Sequence, residues 1–508
     1  MNQGNAGADW RQGYVTTLDY TAGLYASLFP EHLNFACALN GVEPPVRGRQ
    51  FDYFELGCGR GTTVSVLAAC NPQARFYAND FMPSHVAGGR QLAREAGLDN
   101  LTLLEHSFGE LADGQADLPA FDYITMQGVY TWVSAEVRQQ IVRFIARHLK
   151  PGGVVSVGYN AMPGWAASAS AQRLLQASAQ WSGGDGVQRV EHARGFLQQM
   201  ARAGAEAFQD NPAMDRRLAQ VAGASPAYLQ HEYLNRHWQP LYHADVAEDL
   251  ATAKLDFVGS AMLPHFGMAF PPEQQALLDA IPDPRWRETA KDYLLGNSFR
   301  NDVFVRGRRG LSPARRRQRL GTFQMALTVP VDTALKQLAR ADADMAAAMR
   351  PVLDQLAARP ISLASFEDDG TQHTDNATDT PDSAQLMAAV LSMNRHASLF
   401  ESPDAPDDGR RARAWNAAIA ADALLGGTCT ALASPVTGGG IDTDIAGLAV
   451  YRQLADRPDA DPDSVVERAL QALRRLAGSG AEASGAQAAR VRAVVEHEVP
   501  VWRRLGVL

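Results

Sequence analysis

The stretch FELGCGRGTT, residues 54–63, constrains the fold of this chain more than any other. Glycines occupy alternate positions 57, 59 and 61 directly after the apolar run FDYFEL, and the helix-forming segment TTVSVLAAC follows at once. Glycine adopts positive φ without steric cost and lets a backbone pass close to another group. A strand, a bare turn and a helix in that order describe the first βα corner of an open α/β sheet. Such a sheet takes its ligand outside the carboxyl ends of its strands, so the glycine turn is where a ligand is expected.

The alternation continues to residue 160. ARFYAND is followed by the helical HVAGGRQLAREAG, then come LTLLEH, FDYITMQ, the helical AEVRQQIVRFIARHLK and GGVVSVGYN. Short apolar strands joined by helical crossovers predict a parallel sheet covered on both faces, a doubly wound α/β domain. The turn reads G-x-G-x-G with Glu55 before it, whereas a dinucleotide site calls for G-x-G-x-x-G. Asp80 closes the second strand about 20 residues on, where an acidic side chain reaches a ribose hydroxyl.

The form ELGCGRG, with Asp80 and LKPGG before the fifth strand, resembles the class I methyltransferases, whose cofactor is S-adenosyl-L-methionine. The resemblance implies that Gly57, Cys58, Gly59 and Gly61 pass along the cofactor and that Glu55 serves its methionine end. It further implies that Asp80 and Phe81 meet the nucleoside. Many such enzymes place an aspartate after the third strand to accept from the adenine amino group; here Ser107 stands there, with Phe108 next to it to pack on the base. No N/D-P-P-Y/F motif follows the fourth strand, which disfavours planar nitrogen acceptors. Instead Gln127, Gly128, Tyr130 and Trp132 leave that strand, and Tyr159 and Asn160 leave the fifth.

An aromatic slot suits an alkylammonium, whose charge is held by ring faces and whose stem lies on apolar surface. A lysine amine must lose its proton before it attacks, at a cost of about 4 kcal/mol near pH 7.4 from an ordinary pKa of about 10.4. Burial beside a positive sulfonium lowers that cost. Tyr130, Tyr159 and Gln127 are the candidates for orienting the free amine, and Tyr14, Tyr20 and Tyr25 for closing over the cofactor.

GYVTTLDYTAGLYASLFPEHL, GVYTWV, GYNAMPGW and HEYLNRHWQPLYHADVAEDLATAKLDFVGSA resemble the bacterial class I methyltransferases that carry a methyltransferase regulatory region, over most of residues 13–308. The best understood members are lysine methyltransferases of outer-membrane proteins, which implies a protein substrate, extra domains around the cleft and a homodimer. The expected organisation is a first part of the cofactor domain at 1–165, a helical insertion at 166–240 and the rest of the sheet at 241–308. A basic linker at 309–325, a module resembling a winged helix at 326–405 and a helical C-terminal domain at 406–508 follow. His231, His237 and His243 lack the helical spacing of a metal site and read as structural.

Net charge −9 argues against nucleic acid as the main partner, because phosphate binding runs on lysine and arginine contacts. The basic run RGRRGLSPARRRQR, 306–319, reads as a solvated linker. No window approaches the roughly 18 apolar residues of a spanning helix and no leader pattern opens the chain, so a cytoplasmic location is expected. The four cysteines, Cys37, Cys58, Cys70 and Cys429, lie far apart and read as reduced thiols, with no metal site. Two competing readings remain: O- or N-methylation of a small molecule or glycan, for which no general base is assigned, and a cofactor-binding regulator touching DNA, for which no basic recognition helix is found.

Overall fold

The computed structural model describes residues 14, 23–45, 50–263, 268–366, 383–393, 395–402, 408–477 and 485–508. Its centre is a seven-stranded sheet: β1 Asp52–Leu56, β2 Arg75–Asp80, β3 Leu101–Glu105, β4 Phe121–Gln127, β5 Leu149–Asn160, β6 Leu255–Ser260 and β7 Phe299–Arg306. Their order is β3-β2-β1-β4-β5-β7-β6. Strand β7 runs antiparallel to both of its neighbours, and the other pairings are parallel. Strand order reverses between β1 and β4, which opens the crevice at the carboxyl end of β1.

Every residue of β1 is buried, as both faces of the sheet are covered. Successive side chains point to opposite faces. Tyr53, with Phe76 and Val154, therefore enters one core, while Phe54 and Leu56, with Phe121 and Ile124, enter the other. Asp52 and Glu55 are the buried polar residues of this strand, and Glu55 is the one carried next to the turn.

Helix α1 (Pro30–Leu39) precedes the sheet, and α2 (Thr62–Cys70), α3 (Pro83–Glu95), α4 (Phe108–Ala112) and α5 (Ala135–His148) are its first crossovers. Helices α6 (Ala169–Trp181), α7 (Gly186–Arg202), α8 (Pro212–Gly223) and α9 (Pro226–Tyr233) form the inserted bundle, with a core of its own around Trp165, Leu197 and Met214. The chain returns through α10 (His243–Ala251) to β6, then through α11 (Pro272–Asp279) and α12 (Pro284–Leu295) to β7.

Beyond the sheet the structure differs from the expected linker. Residues Pro313–Gly321 form helix α13, begun by Ser312, whose side chain accepts from the Arg315 N–H, and by proline in its first turn. Leu320 is buried, Arg319 donates to Glu401 at 2.6 and 3.0 Å, and Arg306 Nη1 donates to the Ala146 and Leu149 carbonyls at 3.0 and 2.6 Å, so basic residues at both ends of the run are spent on tertiary structure. Strand β8 (Phe323–Leu327) then pairs with β9 (Ile361–Ser362) and β10 (Ala397–Glu401), packed with α14 (Val331–Ala341), α15 (Ala343–Ala358) and α16 (Ser383–Met393).

The last region holds α17 (Arg410–Ala423) and the hairpin β11 (Ala431–Ser434) and β12 (Gly439–Asp442), followed by helices to Arg504. It packs against α2 and α3. Cys70 Sγ lies 3.0 Å from the Gly439 carbonyl, and Asn71 Nδ2 donates to that of Gly438 at 2.8 Å. The helix following the glycine turn is thus braced from outside. No described helix is long and apolar enough to cross a membrane.

Candidate active site

The turn after β1 is hung on the end of β2. The Cys58 N–H donates to the Asn79 carbonyl at 2.9 Å and the Gly59 N–H to Asp80 Oδ2 at 2.9 Å. Gly57, Gly59 and Gly61 have φ of +67°, +56° and +74°, the left-handed region that side chains resist. The first two are needed for different reasons. A Cβ on Gly57 would stand 2.5 Å from Val129 Cγ2, whereas one on Gly59 meets nothing within 4 Å and faces open space. Gly57 is a packing glycine, and Gly59 leaves bare backbone to a ligand.

A cleft opens there that encloses about 1070 Å³ with its mouth. Its walls include Glu55, Gly57, Cys58, Gly59, Asp80, Phe81, Ser107, Phe108, Gln127 and Trp132. Glu55 is buried, and its Oε2 has no hydrogen-bond partner among the described residues. Burial raises its pKa to about 8; the Val64 N–H opposes this and Asp80 adds to it. Burial, then Asp80 and Glu55, likewise hold the Cys58 thiol well above its ordinary value, so it stays protonated. Asp80 accepts from Gly59 and from the Met82 N–H, both at 2.9 Å. A carboxylate offers about four acceptor positions, so capacity remains for a diol.

At the end of β3 the geometry qualifies the expectation for Ser107. Its hydroxyl caps α4: Oγ donates to Glu110 Oε2 at 2.9 Å and accepts from the Glu110 N–H at 3.3 Å. The reciprocal arm runs from the Ser107 N–H to the same Glu110 oxygen at 2.8 Å. This capping box satisfies two backbone donors and leaves the hydroxyl little to offer a ligand. Phe108 and His106 line the cleft beside it.

Gly128, at φ +73°, turns the chain off β4, and the Trp132 N–H donates to the Val129 carbonyl at 2.9 Å. That turn aims Val129 and Trp132 into the cleft and Tyr130 away from it. The Tyr130 hydroxyl donates to Asp249 Oδ2 at 3.1 Å, and burial, then Asp249, raise its pKa. Tyr159 is fully buried, with its hydroxyl on Asp302 Oδ2 at 2.6 Å. Asn160 is buried too, its N–H donating to Thr131 Oγ1 at 2.8 Å. These three, expected at the reacting centre, stand behind the wall. Of the residues proposed to orient an amine, Gln127 alone lines the cleft, with Oε1 buried and without a partner among the described residues. Gly61 and Gly128 shape the turns without lining it.

Tyr14 lies over this wall, edge-on to Phe81 at 5.4 Å and tilted against Trp132 at 6.3 Å. Its hydroxyl is 2.8 Å from His231 Nδ1 on α9, so the inserted bundle reaches the cleft. Tyr25 also lines it, while Tyr20 lies outside the described residues. The sequence reading missed Asn79, His85, His106 and Val129, and it read His231 as structural without its contact to Tyr14. Asn79 and His106 carried a signal, their place at the carboxyl ends of β2 and β3; the partner of His231 carried none.

Tyr159 belongs to a buried charged cluster. Arg300 Nε donates to Asp302 at 2.9 and 3.0 Å, its Nη1 to Asp292 at 2.7 Å, and His243 Nδ1 meets Asp302 at 2.8 Å. Burial pushes the Asp302 carboxyl up, but Arg300 and His243 outweigh it and hold the pKa at about 2. The cluster ties α10, α12 and β7 to β5 and fixes the strand end that supports the cleft.

A buried carboxyl with one oxygen unpaired among the described residues, a second carboxylate with spare acceptors one strand over and bare backbone between them fit an elongated nucleoside with a cationic tail. Residues 54–155 match the family described as "Methyltransferase domain", and residues 225–306 the one described as "Predicted methyltransferase regulatory domain". Over 442 residues the chain is 35% identical to "Uncharacterized protein sll1526" of Synechocystis sp., with 85% of each chain covered. The chain belongs to the bacterial class I methyltransferases that carry the methyltransferase regulatory domain.

The solved structure of PKMT2 from Rickettsia typhi, in complex with AdoHcy, shares the fold of this methyltransferase at a TM-score of 0.66. The match covers 96% of this chain and 99% of that one at 17% identity. A tRNA (guanine-N(7)-)-methyltransferase of Yersinia enterocolitica is 30% identical over 123 residues, 23% of this chain and 49% of its own. S-adenosyl-L-methionine is the cofactor, and Glu55 and Asp80 both line the cleft.

Proposed function

We propose that this methyltransferase acts on a protein, with the lysine ε-amine of a bacterial surface protein as acceptor. The observation that carries the proposal is the wall of Tyr14, Phe81 and Trp132 beside the unpartnered Gln127 Oε1. Ring faces suit a lysine stem and its cationic head. A carbonyl oxygen accepts from an amine N–H and so aims the nitrogen lone pair elsewhere. The bound cofactor supplies an electrophilic methyl group on a sulfonium. The chain's own contribution is to exclude water, to hold the nucleophile at attacking distance and orientation, and to favour the neutral amine by burial.

The fold shared with PKMT2 supports a protein acceptor. In this reading the acceptor is met in the cytoplasm before export, is docked by the module built on β8–β10, and the enzyme works as a homodimer. The test is to incubate the enzyme with methyl-labelled cofactor and a bacterial surface-protein fraction, then map the label by mass spectrometry. Label on lysine side chains is expected; label confined to small metabolites or glycans rejects the proposal.

A further inference from the structure

We infer that the imidazole of His106 is the acceptor that reads the exocyclic amine of the cofactor's adenine. The inference rests on the donor site alone and not on the identity of the acceptor. Three anchor positions follow one another across the adjacent strands β1, β2 and β3: Glu55, Asp80 and the segment 106–108. A ligand with its cation at Glu55 and its diol at Asp80 places its base at the third.

The base meets Phe108 there as an apolar face, and its amine requires an acceptor. Ser107 is a poor one, since its hydroxyl donates to Glu110 and accepts from the Glu110 N–H within the capping box. His106 is placed for the role. Its carbonyl is pinned by Asn79 Nδ2 at 2.9 Å, the residue lines the cleft, and Nδ1 is buried with no hydrogen-bond partner among the described residues. A buried polar nitrogen left unpaired calls for a partner. With its proton on Nε2, the neutral ring offers a lone pair at Nδ1. The cleft's other orphan acceptors, Glu55 Oε2 and Gln127 Oε1, sit at the ends of β1 and β4. Strand β4 lies on the far side of β1 from β3, so Gln127 is at the opposite side of the cleft.

The experiment is calorimetric binding of S-adenosylhomocysteine to the full chain, against its analogue with purine in place of adenine, which lacks only the exocyclic amine. The wild type should prefer adenine by about tenfold, the worth of one good hydrogen bond. His106→Ala should bind the adenine compound about tenfold more weakly and lose the preference, with affinity for the purine analogue unchanged. That unchanged affinity also shows the cleft is folded. His106→Asp, which restores an acceptor, should restore the preference. Absence of a preference in the wild type, its survival in His106→Ala, or its loss in Ser107→Ala would each overturn the assignment.

Discussion

Lowering the pH from 7.5 to 6 should weaken cofactor binding about 25-fold, because Glu55 must ionise before it can face a cation. In the free protein burial holds its pKa at about 8, against an ordinary 4.5. The ionised fraction is then about a quarter at pH 7.5 and about a hundredth at pH 6, and apparent affinity follows the competent fraction. The difference is about 1.9 kcal/mol, at about 1.36 kcal/mol per factor of ten. Binding at pH 7 should release close to one proton, measurable by calorimetry in buffers of different ionisation enthalpy. The ligand's own ammonium loses charge as pH rises and would change affinity in the opposite sense, so tightening between pH 6 and 7.5 identifies the carboxyl. Glu55→Gln should abolish both the slope and the proton release. An affinity that is flat over this range in the wild type would refute the reasoning.

The same carboxyl makes the cofactor-free protein less stable as pH rises from about 4.5 through about 8, since the folded state binds its proton more tightly than the unfolded one. Melting scans should show the saturating cofactor reversing that trend. Gly57→Ala meets both a φ of +67° and a contact of 2.5 Å with Val129 Cγ2, so denaturation should show a loss of about 1–3 kcal/mol. A loss below about 0.5 kcal/mol would mean the turn yields freely. Asp80→Ala removes the acceptor for the Gly59 and Met82 N–H groups and should weaken cofactor binding by about 1–3 kcal/mol in calorimetry. Unchanged affinity would leave that carboxylate no part in the site. Asp302→Asn breaks a buried cluster and should cost about 3 kcal/mol. With a folded pKa of about 2 against 3.8, the ionised Asp302 stabilises the wild type above pH about 3.8 and ceases to as pH falls through about 2. The variant should lack that part of the acid limb.

The sheet and the donor turn were legible because their signals are local. Buried strands read as continuous apolar runs, alternate glycines mark the bend, and Asp80 ends its strand at a distance set by one βα unit. The reacting wall was legible in part: Tyr14, Phe81, Gln127 and Trp132 line the cleft as expected, whereas Tyr130, Tyr159 and Asn160 do not. Whether Tyr130 or its neighbours Val129 and Trp132 face the cleft is decided by the turn that Gly128 begins, and a one-residue difference there reverses each side chain. Tyr159 looked available because its partner Asp302 lies 143 residues away. Ser107 was chosen by position, while Glu110, three residues on, was the sign of a capping box that would occupy it. Helix 313–321 hid behind its charge, although Ser312 followed by Pro313 is a helix-start signal. His231 reaches Tyr14 across 217 residues, a contact made only by the packing of the inserted bundle.

The most direct test is a crystal structure grown with S-adenosylhomocysteine. The ligand should lie along the backbone from Gly57 to Gly59, its amino end at Glu55 and its ribose at Asp80. Density elsewhere, or an empty cleft at saturating ligand, would contradict the placement on which the chemistry depends.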